Sequence, residues 1–171
     1  MKLSLITPCL NNASTIRGTL ESVAAQSHRD FEHIVVDGGS TDGTLEILAG
    51  HAGRLKVIGG PDRGLYDAIN KGVASATGDA IGVLNADDYL ESHTVLQEVS
   101  DALAAAPDAQ GVYGDVVFVH PGDLQRVVRR YSSRAFRPWK LRFGWMPPHP
   151  GSFIRRAACA TIGPYLSLIH I

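Results

Sequence analysis

Four times before Pro107, a short apolar run ends in turn-forming residues and gives way to apolar residues at helical spacing. Leu3–Thr7, Phe31–Val36, Leu55–Ile58 and Ala80–Leu84 read as strands, closed by Pro8, Asp37-Gly38-Gly39, Gly59-Gly60-Pro61 and Asn85. Between them, Ile16, Leu20, Val23 and Ala24 keep helical spacing after the turn and cap chemistry of Asn11-Asn12-Ala13-Ser14. Ser40, Thr41 or Asp42 can cap a short helix through Leu45, Ile47 and Leu48, and further helices run from about Leu65 to Ala76 and from about Thr94 to Ala106. Val95, Val99 and Leu103 mark the inner face of the last. Strands joined through helices return parallel, by right-handed crossovers. The pattern therefore predicts an α/β fold with a mainly parallel sheet flanked by helices on both faces.

Beyond Pro107 the rhythm changes. Val112–Val119, a turn at Pro121-Gly122-Asp123, and Leu124–Tyr131 predict an antiparallel hairpin as a C-terminal extension. The rest, rich in Pro, Arg and aromatics, reads as irregular. A chain of 171 residues with 44% hydrophobic and 19% charged residues suits one folded domain, expected over residues 1–165 with no boundary at Pro107. A net charge of −1 gives no reason to expect nucleic-acid binding. Cations nonetheless gather late, at Arg126, Arg129, Arg130, Arg134, Arg137, Lys140 and Arg142, while no acid follows Asp123. That segment suits an anionic substrate, a membrane surface or plain solvent. Cys9 and Cys159 have neither metal-site spacing nor disulfide density and suit a reducing compartment. The apolar start Leu3–Ile6 is too short for a signal peptide and no segment is long enough to span a bilayer, so the expected location is cytoplasmic.

Ligands of open α/β sheets collect beyond the carboxyl ends of the strands. The polar residues fall there: Thr7-Pro8, Asp37, Asp62-Arg63, and Asn85-Ala86-Asp87-Asp88. Each has a plainer alternative. Asp37-Gly38-Gly39 could be only a strand-ending turn, Asp62-Arg63-Gly64 a surface ion pair, and Asn85–Asp88 a helix-entry turn. Two adjacent acids after a core strand exceed what a cap requires, and a hard divalent cation would accept such oxygens.

The stretches LITPCLNNASTI, IVVDGGSTDGT, PDRGLYDAINKGVASATGD and VLNADDYL occur in the order and spacing of the family 2 glycosyltransferases, and PHPGSFIRR resembles a later block of one bacterial branch. The resemblance covers roughly residues 2–165 and implies a GT-A fold. It implies inverting transfer of a sugar from a nucleotide-diphosphate donor, expected to be a UDP-sugar. The acceptor would be a glycan or lipid-linked glycan of cell-surface polysaccharide biosynthesis, handled at the inner face of the membrane. Carried over by position, Thr7 and Pro8 line the nucleotide pocket, Asp37 meets the base, and Asp62 and Arg63 help enclose the nucleotide. Asn85-Ala86-Asp87 takes the place of the Asp-x-Asp motif, with Asn85 at the ribose and Asp87 holding Mn²⁺ or Mg²⁺. Asp88 is the neighbouring acid at the donor. An amide at position 85 can still bond a ribose hydroxyl, so Asn85→Asp is expected to be tolerated.

The resemblance puts the catalytic base on an aspartate beyond the block HPGSFIRRAACATIGPY, whereas this chain closes in LSLIHI, read as a non-native tail over 166–171. The general base is therefore expected beyond Ile171, and the rival reading is a nucleotide-sugar-binding fragment without transfer. A receiver domain or a dinucleotide-binding dehydrogenase fits less well: Thr7-Pro8-Cys9 follows the first strand, where the former needs acids and the latter G-x-G-x-x-G. His149 is either a site residue or a structural loop histidine. Trp139 and Trp145 suit an acceptor platform, a membrane interface or packing.

Overall fold

The computed structural model describes residues 1–144, 146 and 148–166. Trp145 and most of the closing tail lie outside them. The chain alternates β1 (Leu3–Cys9), α1 (Ile16–Ala24), β2 (Phe31–Asp37), α2 (Thr44–Ala49), β3 (Lys56–Gly59), α3 (Leu65–Ser75), β4 (Ala80–Val83) and α4 (Val95–Ala105). It continues with β5 (Gly111–Tyr113), a hairpin of β6 (Val116–His120) and β7 (Asp123–Tyr131), three short 3-10 turns, β8 (Ser152–Arg155) and α5 (Arg156–Ile162).

One six-stranded sheet runs β3-β2-β1-β4-β8-β5, and β6-β7 forms a separate antiparallel pair. β3, β2, β1 and β4 are mutually parallel, while β8 is antiparallel to both of its neighbours. Strand order reverses between β1 and β4, the switch point where such sheets open a crevice. Side-chain alternation along β1 sorts the core. Leu3, Leu5 and Cys9 join the clusters under α1, α2 and α4, whereas Ile6 packs with Ile34, Val36, Ile81 and Val83 under α3. Contact with α3 is close, because a methyl group on Gly72 would lie 2.5 Å from Ile6 Cγ2.

Several expectations need correction. Pro8 does not stop β1, which runs on to Cys9 opposite Asp37. Alternate residues of a parallel strand address alternate neighbours. The Ile6 carbonyl accepts from Leu84 N–H on the β4 side, and the Cys9 carbonyl accepts from Gly38 N–H on the β2 side. Pro8 shares Ile6's side, where β4 has already stopped pairing, so its missing N–H breaks nothing. Ala24 is exposed at the end of α1. On α4 the fully buried stripe is Leu96, Ser100 and Leu103, with the expected Val99 half-buried against the same cluster of Leu3, Leu5 and Phe153 and Val95 at its margin.

The segment Val112–Val119 is two strands, not one. Gly114 N–H donates to the Gly151 carbonyl at 2.8 Å, which ends β5 and turns the chain out of the sheet. The last part is not all irregular either: β8 inserts between β4 and β5 and buries Phe153 against Gly82. Residues after Pro107 thus complete the same sheet that those before it began.

Candidate functional site

The carboxyl ends of β1 and β2 are laced together by their loops. Asp37 is 1% exposed, and its Oδ1 accepts from Gly39 and Ser40 N–H at 2.9 Å each. Its Oδ2 accepts from Ser40 Oγ at 2.5 Å and from Cys9 Sγ at 3.5 Å. Burial raises the cost of this charge, but those bonds outweigh it and hold the Asp37 carboxyl below its usual range. Burial, then Asp37 itself, pushes the Cys9 thiol up to about 12, which leaves it an inert packing residue and a donor. Asn11, with φ of 56°, sits in the left-handed region that asparagine tolerates. It donates its N–H to Ser40 Oγ and accepts from Thr41 N–H. Asp42 accepts from Ala13 N–H and from both Thr44 groups, starting α2. The predicted strand-ending turn at Asp37 is therefore present, and its carboxylate has its four acceptor positions filled from within the fold.

Thr7 and Pro8 are buried. The Thr7 hydroxyl shares a 2.9 Å hydrogen bond with His33 Nε2 inside the sheet, so the segment contributes to the site through its backbone course rather than that hydroxyl. The sequence pattern did not single out His33, and it offered Asn11 and Ser40 only as turn and cap residues, not as partners of each other or of Asp37. Their signal exists only across strands that lie 26 to 30 residues apart in the chain.

Asp62 accepts from Gly64 N–H at 2.8 Å, turning the chain into α3. Its other oxygen lies over Gly38, where an added Cβ would stand 2.5 Å away. The ends of β2 and β3 thus converge, and a side chain at position 38 would require the Asp62 carboxylate to move. Arg63 reaches into solvent and pairs with Asp67 at 3.2 Å, not with Asp62. Asp67 also pairs with Lys71, whose ammonium donates to the Pro61 carbonyl.

At the end of β4, Ala86 packs in the apolar cluster that holds Cys9, which seats this turn beside β1. Asn85 Nδ2 donates to Asp88 Oδ2 at 2.8 Å, and Asp88 N–H donates back to the Asn85 carbonyl at 3.1 Å. Burial raises the Asp88 carboxyl above its usual range, Asn85 opposes this, and neighbouring Asp87 adds to it. Thr19 Oγ1 donates to the Asp88 carbonyl and pins the turn to α1. Asp87 is exposed, and among the described residues its carboxylate has no protein partner. The adjacent acids are therefore inequivalent: Asp88 is held by the fold and Asp87 is offered outward.

Both acids open on a cleft of about 580 Å³ between α4, the β5–β6 corner and β8, lined also by Glu98, Val99, Asp115 and Phe153. Val95 and Val99, outside the fully buried stripe, form part of its wall. Among the described residues, no three His, Cys, Asp or Glu side chains converge to hold a metal by themselves. A hard divalent ion taking one carboxylate and completing its shell with phosphate oxygens and water fits Asp87.

A sequence profile described as Glycosyl transferase family 2 matches residues 4–162. The chain belongs to this family. It is 39% identical over 166 residues to the PGL/p-HBAD biosynthesis glycosyltransferase of Mycobacterium tuberculosis, covering 95% of this chain and 62% of that protein. The chain thus spans less than two thirds of the length of this curated relative. Among solved structures it resembles Staphylococcus aureus TarS in complex with UDP-GlcNAc, with a TM-score of 0.76 and 22% identity over 95% of this chain and 47% of that one. It also resembles the mannosyltransferase PcManGT from Pyrobaculum calidifontis in complex with GDP-Man and Mn²⁺, with a TM-score of 0.70 and 22% identity over 96% and 47%. These neighbours share the GT-A fold with this family 2 chain. Among its described residues, no helix is long and apolar enough to cross a membrane.

Proposed function

We propose that the protein is an inverting glycosyltransferase that moves a sugar from a nucleotide-diphosphate donor, a UDP-sugar, to a hydroxyl of a glycan or lipid-linked glycan acceptor. The observation that carries this reading is the outward, unpartnered Asp87 carboxylate at the end of β4, beside a cleft and within a family 2 chain. The complexes of the two structural neighbours, one with UDP-GlcNAc and one with GDP-Man and Mn²⁺, support the donor class.

In this reading Asp87 holds Mn²⁺ or Mg²⁺, which when bound neutralises charge developing on the departing diphosphate. Asn85 keeps its amide oxygen for a ribose hydroxyl while its Nδ2 positions Asp88. Asp37 stiffens the nucleotide pocket, and it can meet a base N–H only if Ser40 or Cys9 yields an acceptor position. In the same reading Thr7, Pro8, Asp62 and Arg63 would border the nucleotide, although the cleft beside Asp87 is lined by none of them. The acceptor hydroxyl, deprotonated by a carboxylate, attacks the anomeric carbon on the face opposite the leaving diphosphate. In this reading the base lies beyond residue 171. The work is done in the cytoplasm, at the inner face of the membrane.

Calorimetric titration of UDP with Mn²⁺ into the chain tests the reading. Binding that weakens about a hundredfold in Asp87→Ala is the expected result. Unchanged affinity in that variant would refute the assignment.

A further inference from the structure

All 17 acidic residues lie within residues 1–123, together with 7 of the 16 lysines and arginines. The other 9 lie in residues 124–171, so the two parts carry −10 and +9 against a net charge of −1. The fold uses some of these late cations internally. Arg155 and Arg156 donate to backbone carbonyls, and Arg130 pairs with Asp115 at 3.5 Å. Arg126, Arg129, Arg134 and Arg142 form no ion pair among the described residues.

The same segment exposes much of the molecule's apolar surface. Every residue of β7 but the last is exposed. The 3-10 turn Pro138–Phe143 shows Trp139 at 59%, Leu141 at 49% and Phe143 at 80% exposure, interleaved with Lys140 and Arg142. Trp139 and Phe143 meet edge to face at 5.9 Å, so they form one projection. The segment is anchored rather than loose. Ser133 donates twice to Asp115, Phe136 packs edge-on against Tyr113, and Tyr131 donates to the Met146 carbonyl. Aromatic and aliphatic side chains held outward among cations suit a surface that is apolar below and anionic above.

We propose that residues 124–146 dock the protein onto a bilayer bearing anionic headgroups, with Trp139 and Phe143 entering the interface and Arg126, Arg129 and Arg142 meeting the headgroups. Charge complementarity selects the acidic lipid, and beside the aromatics the exposed aliphatic Val127, Val128 and Leu141, which offer no face for base stacking, select a bilayer over a nucleic acid. β6, which pairs with β7, lines the cleft beside Asp87 and Asp88, so docking here would set the cleft near the bilayer. This last consequence rests on the proposed transferase reading, whereas docking itself does not.

Co-sedimentation with phosphatidylcholine vesicles, with and without phosphatidylglycerol, tests the proposal without any sugar transfer. The chain should pellet with anionic vesicles and not with neutral ones. Trp139→Ser/Phe143→Ser and Arg129→Gln/Arg142→Gln should each weaken pelleting by about tenfold, with circular dichroism and UDP binding unchanged. Binding that ignores the aromatic pair overturns the proposal. So does equal binding to single-stranded nucleic acid with no preference for anionic vesicles, or self-association that buries Trp139 in lipid-free solution.

Discussion

Asn85 steadies a crowded acidic turn. Its Nδ2 donates to Asp88 while Asp87 stands one residue away, so Asn85→Asp would remove a donor and place three carboxylates in four residues. The tolerance expected for that substitution is replaced by a different outcome: a loss of about 1–2 kcal/mol in stability and a further rise of the Asp88 carboxyl. Chemical denaturation and a carboxyl NMR titration would register both. His33 supplies the pH response. Burial holds its imidazole down at about 4, below its usual 6.5, so the folded state resists a proton that the unfolded chain accepts. Stability is intact above about 6.5 and falls as the pH drops toward about 4, by up to about 3 kcal/mol. His33→Gln, which keeps a partner for Thr7, should flatten this slope, and thermal melts on either side of about pH 6 would show it.

Among the elements, β8 depends on its neighbour's missing side chain. Phe153 lies opposite Gly82, and a methyl group at position 82 would land on the ring. Gly82→Ala should cost about 1–3 kcal/mol and loosen β8 and β5 before β1 and β2, a pattern visible as early amide exchange in Gly111–Tyr113. This pairing also explains what the sequence could and could not reveal. β1, β2 and β4 were legible because each is an apolar run, bounded by turn residues and buried on both faces. β8 has four residues of which only Phe153 is buried, too little for periodicity to detect, and β5, three residues with none buried, could not be told from β6 within the one strand expected over Val112–Val119. The break at Gly114 is dictated by Gly151, far along the chain. At the site, chain order alone placed Asp37, Asp62 and Asp87 at strand ends. Which carboxylates the fold consumes was invisible, since Asp37 depends on Ser40 and Cys9, and Asp88 on Asn85.

At the scale of the whole molecule, the charged excursion leaves and rejoins the sheet at one neck. Gly114 and Gly151 are hydrogen-bonded to each other, and the described residues between them lie outside the six-stranded sheet. Replacing residues 117–148 with a short glycine linker should therefore keep the six-stranded sheet and its cooperative thermal transition while abolishing vesicle binding. Scanning calorimetry and co-sedimentation on that one variant read both effects. A closed neck of two glycines also makes the excursion a cassette. Its length and chemistry can drift, or be exchanged for those of a relative, without rewriting a residue of Asp37, Asp62 or Asp87, so address and chemistry can evolve on separate clocks.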